Sequence, residues 1–297
     1  MKKILMLLVL ASAIIFAASG CSARSDSAAA PGPIPTRMEP EREPSIVLSE
    51  TQAQPESSGE NTSVLTINNG DTLAKIATVL EETGVCTVSQ FIDAAQEGDF
   101  SEFPLVAAQI PNQNRCFVLE GYLFPGDYSI YPGDTPDGII RRILSNTEQQ
   151  ITEELRKAIE DSGYTADEII TIASLIEKEA MRNPVYMREV SSVLHNRLNL
   201  GMQLQLCETI DYVEDWIKPF ITGDINRYNE HYNAYKCPSL PAGAICNPGI
   251  DAIRAAVDPA STDYLFYLWD KDNNYHFEAS YDKHSANVAQ YLNNQED

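Results

Sequence analysis

Two carboxylates, Glu177 and Glu179, are the side chains in this sequence whose type and setting best suit chemistry. They lie near the end of TADEIITIASLIEKEAMR, Thr165 to Arg182. A carboxylate held at an apolar edge loses solvation in its charged form, so its pKa rises and it stays protonated long enough to act as a general acid. Thr165 followed three residues later by Glu168 fits a capping box, and Ile169, Ile172, Ala173, Ile176 and Ala180 follow at helical spacing before Pro184 closes the segment. At about 100° per residue the two acids fall on opposite flanks of that stripe, which Leu175 and Ile170 widen toward each of them. Either acid is then a candidate for partial burial. The competing reading is a solvated Glu-Lys-Glu patch on an amphipathic helix. Helix geometry does not choose between the two acids.

Other reactive patterns are missing. His195, His231, His276 and His284 lack the i, i+4 spacing of a helical metal site, and no Cys-x-x-Cys, Gly-x-Ser-x-Gly or phosphate-loop pattern occurs. No metal site is therefore expected.

The elements that must position these acids read as an α+β fold. Val64 to Ile67 alternates like a short strand, Asn68-Asn69-Gly70 supplies a turn, and Asp71 or Thr72 caps a helix carrying Leu73, Ile76, Ala77 and Leu80. Thr87 or Ser89 opens a second helix through Phe91, Ile92 and Ala95. Leu119 to Tyr131 is dense in aromatics between Gly and Pro, which predicts strands joined by tight turns. Thr135-Pro136 starts a helix, and a further one is expected from about Glu148 to Asp161. Beyond Pro184, Met187 to Leu198 form another amphipathic helix that Gly201 ends. Trp216 to Glu230 shows little periodicity, and Tyr232 to Pro248 reads as a long loop, uncommon in a compact domain unless it has a job. Asn247-Pro248 is placed to cap a helix through Ile250, Ile253 and Val257. Tyr264 to Trp269 and Tyr275 to Glu278 read as a hairpin, and Ser280 caps a last helix.

Among 297 residues there are 21 basic and 43 acidic ones, a formal charge of −22, with no basic cluster beyond the extreme N-terminus. Nucleic acid is a poor candidate partner. Lys2-Lys3, an apolar run from Ile4 to Ala18, and small residues up to Cys21 read as an export signal over residues 1–20. Ala18-Ser19-Gly20-Cys21 resembles the cleavage site of bacterial lipoproteins, which makes Cys21 the lipidation candidate. Leu is commoner where Ala18 stands. Ordinary secretion and an uncleaved single-span anchor are the alternatives. Residues 21–63, rich in Pro, Ser, Ala and Glu, read as a disordered, lipid-anchored tether with a root-mean-square span of roughly 35–40 Å. The protein is thus expected on the extracytoplasmic face of a membrane. Five cysteines remain, and export permits disulfides: Cys86–Cys116 is the first expected pair, with a second among Cys207, Cys237 and Cys246.

The strand-helix-helix order headed by TINNGDTLAKIATVL resembles a LysM-type module, a family that binds glycans containing N-acetylglucosamine. A packing subdomain that keeps this topology and binds nothing is the alternative. The segments LEGYLFPGDY, IASLIEKEA, VLHNRLNLGMQLQ, YNAY with LPAGAICNPGIDAIRAA, DYLFYLW, and HF with HSANV together resemble the endolytic murein transglycosylases of the YceG-like group. Domains are then expected at 64–131, LysM-like, and 132–297, catalytic. The resemblance implies cleavage of the MurNAc–GlcNAc β-1,4 bond without water, leaving 1,6-anhydro ends, with Glu177 as the one acid. It also implies glycan contacts from Gln205, Tyr232, Asn233, Tyr235, Asn247 and His276, no cofactor, and peptidoglycan strands as partner, with cell-wall synthesis proteins as further candidates.

This sequence departs from the group where Leu206-Cys207 replaces the usual Ser-Asp, which removes an acid near the cleft. It departs again in its lipid-type anchor, where the group usually carries a membrane-spanning helix. Two rivals follow. One is a non-catalytic wall-binding lipoprotein; the other is a plain hydrolase, which needs a second carboxylate, with Glu208 and Asp211 nearest in sequence.

Overall fold

The computed structural model describes residues 62–292 except Arg182 and Ile225. The export signal, Cys21 and the expected tether up to residue 61 lie outside the described residues; Ser63, expected in the tether, already begins the first strand.

Every sequence cue at Thr165 is realised. Its hydroxyl accepts from the Glu168 amide while the Glu168 carboxylate accepts from the Thr165 amide, and helix α6 runs Ala166–Glu179. Ile169, Ile172, Ala173, Ser174, Leu175 and Ile176 are fully buried, and Asp167, Glu177 and Glu179 are nearly so. A helix buried on this many sides is a core helix, and its neighbours exist to cover it. Helices α5 (Glu153–Asp161), α7 (Met187–Asn199) and α10 (Ile250–Val257) pack against it. Ser174 fixes one more segment, accepting the amide of Ile245 at 3.1 Å.

Ahead of this core, strand β1 (Ser63–Ile67) leads into α1 (Leu73–Glu82), α2 (Val88–Glu97) and a single turn, α3 (Pro104–Ala107). Thr72 caps α1 and Thr87 caps α2, each by accepting from the amide three residues on. Strand β2 (Gly126–Ile130) returns antiparallel to β1, with Ser63 opposite Ile130 and Ile67 opposite Gly126. Leu65, Ile67, Tyr128 and Ile130 turn inward, so the alternation read from the sequence is the burial pattern. Their cluster is continuous with α6 and α10, and one hydrophobic core joins Leu65 to Tyr275. Gly121 permits this closeness: a Cβ there would lie 2.6 Å from the Ala244 methyl and 2.7 Å from Ile170.

Helix α4 (Pro136–Gln150) follows β2, and after α7 come the one-turn α8 (Glu208–Asp211), a π-type turn over Tyr212–Ile217 and α9 (Asn226–Tyr232). Strands β3 (Phe266–Trp269) and β4 (Tyr275–Glu278) form the expected hairpin, and α11 (Tyr281–Tyr291) lies on it.

Several expectations need correction. Leu119 to Tyr131 holds one strand, because buried turns at 117–125 bring the backbone onto α6 instead. The helix expected from Glu148 is two helices: α4 runs on to Gln150, and Thr152 caps α5 by accepting from the Leu155 amide. The unpatterned stretch after Trp216 contains α9. Asn247 does not cap α10; Gly249 holds that position, and the Asn247 side chain is used elsewhere. The thiols of Cys86, Cys116, Cys207, Cys237 and Cys246 are all free, so neither expected disulfide is present. Cys116 is packed against the tyrosines of α9 instead, with its amide donating to the Tyr232 hydroxyl.

Candidate active site

The two acids of α6 are both nearly shut off from solvent, at 5% exposure for Glu177 and 7% for Glu179, and they face different clefts. That separation follows from their two-residue spacing on a helix.

Glu177 opens on a cleft of about 770 Å³ beside Asn69, Arg188, Asp251 and Arg254. Its Oε2 accepts the Gly249 amide at 2.9 Å, at the start of α10, and the Asn69 side chain bonds it as well. Burial raises its pKa, and the Gly249 amide pulls the other way. Both arginines of this cleft are already paired, Arg188 with Asp258 at 3.0 Å and Arg254 with Asp251 at 3.3 Å. Glu177 thereby pins the N-terminus of α10, where a carboxylate is favoured by the helix dipole, to the turn after β1.

Glu179 opens on a cleft of about 460 Å³ on the other flank. The Tyr267 hydroxyl of β3 donates to its Oε2 at 2.6 Å, and the Tyr275 hydroxyl of β4 donates to its backbone carbonyl. Burial pushes its carboxyl up to about 7; the Glu208 charge adds to the rise, and the Tyr267 hydrogen bond and Arg197 oppose it. A carboxyl that titrates near neutrality can both give and take a proton. Arg197 braces the wall, donating from Nε to the Leu265 carbonyl at 2.6 Å and from a terminal nitrogen to Leu204 at 2.7 Å.

Of the glycan-contact candidates, Gln205 and Tyr235 line this second cleft with Glu179. Gln205 adopts a left-handed φ of 54°, a conformation uncommon outside glycine and held here by its amide donating to the Ala234 carbonyl. Leu204 and Leu206 on either side are buried, so the strain turns the exposed Gln205 outward. Tyr235 is 43% exposed, and its hydroxyl lies 3.4 Å from the Cys207 thiol.

The remaining candidates are held elsewhere. Tyr232 is fully buried, and Asn233 is spent on its own loop, its Oδ1 accepting the Tyr235 amide at 2.9 Å. His276 bonds Asp270 at 2.9 Å and stacks on Tyr291, away from both clefts. Asn247 is wholly buried. Its Oδ1 accepts the amides of Gly121 and Leu123, each at 2.9 Å, and its Nδ2 donates to Asp71 and to Glu120. All four of its bonding capacities go to protein. Glu120, buried and raised to about 7, also accepts from the Leu73 amide and the Tyr212 hydroxyl, and so ties the start of α1 to the same node.

Sequence reasoning did not single out Tyr267 or Arg197. Both stood inside the quoted segments DYLFYLW and VLHNRLNLGMQLQ, but nothing in their local spacing says that they converge on α6.

These segments converge in known proteins as well: the model of the YceG-like family matches residues 34–290. The chain belongs to the YceG-like family. Two curated relatives are named endolytic murein transglycosylase. The one from Bacillus subtilis (strain 168) is 28% identical over 235 residues, covering 77% of this chain and 65% of its own length. The one from Streptococcus pneumoniae serotype 2 (strain D39) is 29% identical over 247 residues, covering 77% of this chain and 44% of its own. The chain thus spans less than two thirds of either. A crystal structure of a yceG-like protein from Listeria monocytogenes is similar at 27% identity and a TM-score of 0.65, with 75% of each chain covered.

Proposed function

We propose that this member of the YceG-like family cleaves peptidoglycan glycan strands internally as a lytic transglycosylase, with Glu179 as its acid and then its base. The observation that carries the proposal is one buried carboxyl, protonatable near pH 7, in a cleft it shares with Gln205 and Tyr235. The names of the two relatives support the substrate class. The sequence resemblance favoured Glu177, but the two glycan-contact candidates that reach a cleft, Gln205 and Tyr235, line the one on the Glu179 flank.

In the proposed reaction, protonated Glu179 gives its proton to the glycosidic oxygen of a MurNAc–GlcNAc bond. The C1–O bond breaks, GlcNAc leaves with a hydroxyl at C4, and an oxocarbenium-like centre develops on MurNAc. The Glu179 carboxylate then takes the proton of the MurNAc C6 hydroxyl as its oxygen bonds to C1. A 1,6-anhydro end results, no water is consumed, and the acid is restored. Because the substrate supplies the nucleophile, one carboxylate suffices. Burial keeps Glu179 protonated near pH 7, so the proton is in place to be given when charge develops on the glycosidic oxygen.

The rest of the chain fits this reading. The β1-α1-α2 order, closed by β2, supports a LysM-like part over 64–131 that grips N-acetylglucosamine-containing strands, ahead of a catalytic part over 132–297. The Ala18-to-Cys21 segment supports export, lipidation at Cys21 and attachment to the outer face of a membrane, where such strands are made.

The test is mass spectrometry of products from uncrosslinked strands treated with the full chain, with Glu179→Gln and with Glu177→Gln. New 1,6-anhydroMurNAc ends are expected from the unmodified protein and from Glu177→Gln, and none from Glu179→Gln. Cleavage that survives Glu179→Gln overturns the assignment; reducing MurNAc ends overturn the reaction type. A glycan-binding chain that makes no new ends is a wall-binding lipoprotein.

A further inference from the structure

A second carboxylate reaches the Glu179 cleft. Glu208, the first residue of α8, lines it, and α8 packs against α6. Its placement is built rather than incidental. Leu204, Leu206 and Thr209 are buried; the Thr209 hydroxyl donates to the Leu206 carbonyl at 2.7 Å and accepts the Ala234 amide at 3.0 Å. Those anchors fix the backbone on either side of Glu208, which is half-buried and lines the cleft. The acid that the resemblance leads one to expect at position 207 is a cysteine here, and a carboxylate stands one residue further on.

We propose, resting on the transglycosylase reading, that Glu208 is a positioning residue that acts through Glu179, its negative charge keeping the Glu179 proton in place until a glycosidic oxygen arrives. Two acids in one cleft of apolar walls repel when both are ionised, and the more buried of them is the one to keep its proton. Glu179 is that one, with Leu206, Leu268 and Trp269 on the wall of the same cleft.

Every element around Glu179 contributes to this balance. Arg197 of α7 lowers its proton affinity, as does the Tyr267 hydroxyl of β3, while Glu208 of α8 raises it. Tyr275 of β4 is engaged with the Glu179 backbone, and Cys207 and Tyr235 are engaged with each other. His284 of α11 lines the same cleft, and burial and the Arg197 charge lower its pKa, favouring the neutral ring. Removing the Glu208 charge therefore leaves burial alone to oppose Tyr267 and Arg197. Glu179 then loses its proton at lower pH, and the alkaline limb of the activity profile moves down.

The experiment is the pH profile of anhydro-end formation by the full chain, Glu208→Gln and Glu208→Asp, with the Glu179 carboxyl titrated directly by 13C NMR in each. Glu208→Gln is expected to move the alkaline limb and the NMR midpoint down by about one pH unit, which is a tenfold loss of rate above the limb. Glu208→Asp, which keeps the charge, is expected to hold both near their original places. If Glu208→Gln does not fold, Glu208→Ser replaces it with the same expectation. A limb and midpoint that stay put in the neutral variants overturn the inference. So do reducing ends that vanish in Glu208→Gln, which would make Glu208 the base for an attacking water. An unmodified protein that makes no anhydro ends defeats the transglycosylase reading alone, because the NMR midpoint still decides whether Glu208 acts on Glu179.

Discussion

Replacing Glu179 by Gln should abolish cleavage and, at pH 8, stabilise the protein. Its carboxyl titrates near 7 in the folded chain against an ordinary 4.5. Below about pH 4.5 both states hold the proton, and the stability this group contributes is fully present. As pH rises through 4.5 toward 7, the unfolded chain releases its proton while the folded chain keeps it. Folded Glu179 then binds more protons than unfolded Glu179, and stability falls with a slope approaching about 1.4 kcal/mol per pH unit. By pH 8 the carboxylate is ionised in both states, and the accumulated cost is about 3 kcal/mol. Gln keeps the shape and an oxygen that can accept from Tyr267, but it adds an amide donor that must find a partner, for which about 1 kcal/mol is deducted. Urea unfolding of both proteins from pH 4.5 to 8 should show Glu179→Gln losing about 1 kcal/mol at pH 4.5 and gaining about 2 kcal/mol at pH 8, with unchanged m-values. A gain of the same size at every pH, or a loss at pH 8, would refute the argument that burial sets this proton affinity.

Three further outcomes follow from the same geometry. Tyr267→Phe removes a hydrogen bond that favours ionised Glu179, so the alkaline limb of the pH profile should move up, opposite in sign to the Glu208→Gln shift. Asn247→Ala leaves two buried amides, the Asp71 carbonyl and Glu120 short of a partner, and urea unfolding should show a loss of about 3–5 kcal/mol, although the residue touches no substrate in the proposed reaction. A maleimide should label the exposed Cys207 ahead of the buried Cys116, Cys237 and Cys246, as mass mapping of the adducts would show. Its label should fill the cleft and stop cleavage, and Cys207→Ser should resist that inhibition.

Local rules were enough wherever the answer was local. The capping box at Thr165, the caps at Thr72, Thr87 and Thr135 and the β3–β4 hairpin are short-range hydrogen-bonding patterns, and each stands in the structure where its residues predict it. The apolar stripe on α6 also put Glu177 and Glu179 on opposite flanks with either a candidate for partial burial; the structure buries both, against the competing reading of a solvated patch. Which flank faces the glycan-contact candidates was not local information. It depends on how the loops at 204–208 and 233–235 return to α6, segments with little periodicity whose placement is fixed by buried Leu204 and Leu206 and by the Thr209–Ala234 bond. Asn247 shows the same division. An Asn-Pro before an apolar helix reads as a cap, yet its side chain is drawn inward by the unpaired amides of Gly121 and Leu123, more than 120 residues away in the chain. The sequence by itself determined the helices, their buried faces and the two acids worth testing, because those follow from spacing along one segment. Only the tertiary structure decided that Glu177 pins α10 while Glu179 meets Tyr267, Gln205 and Glu208, because proton affinity is set by the groups that folding brings around a carboxylate.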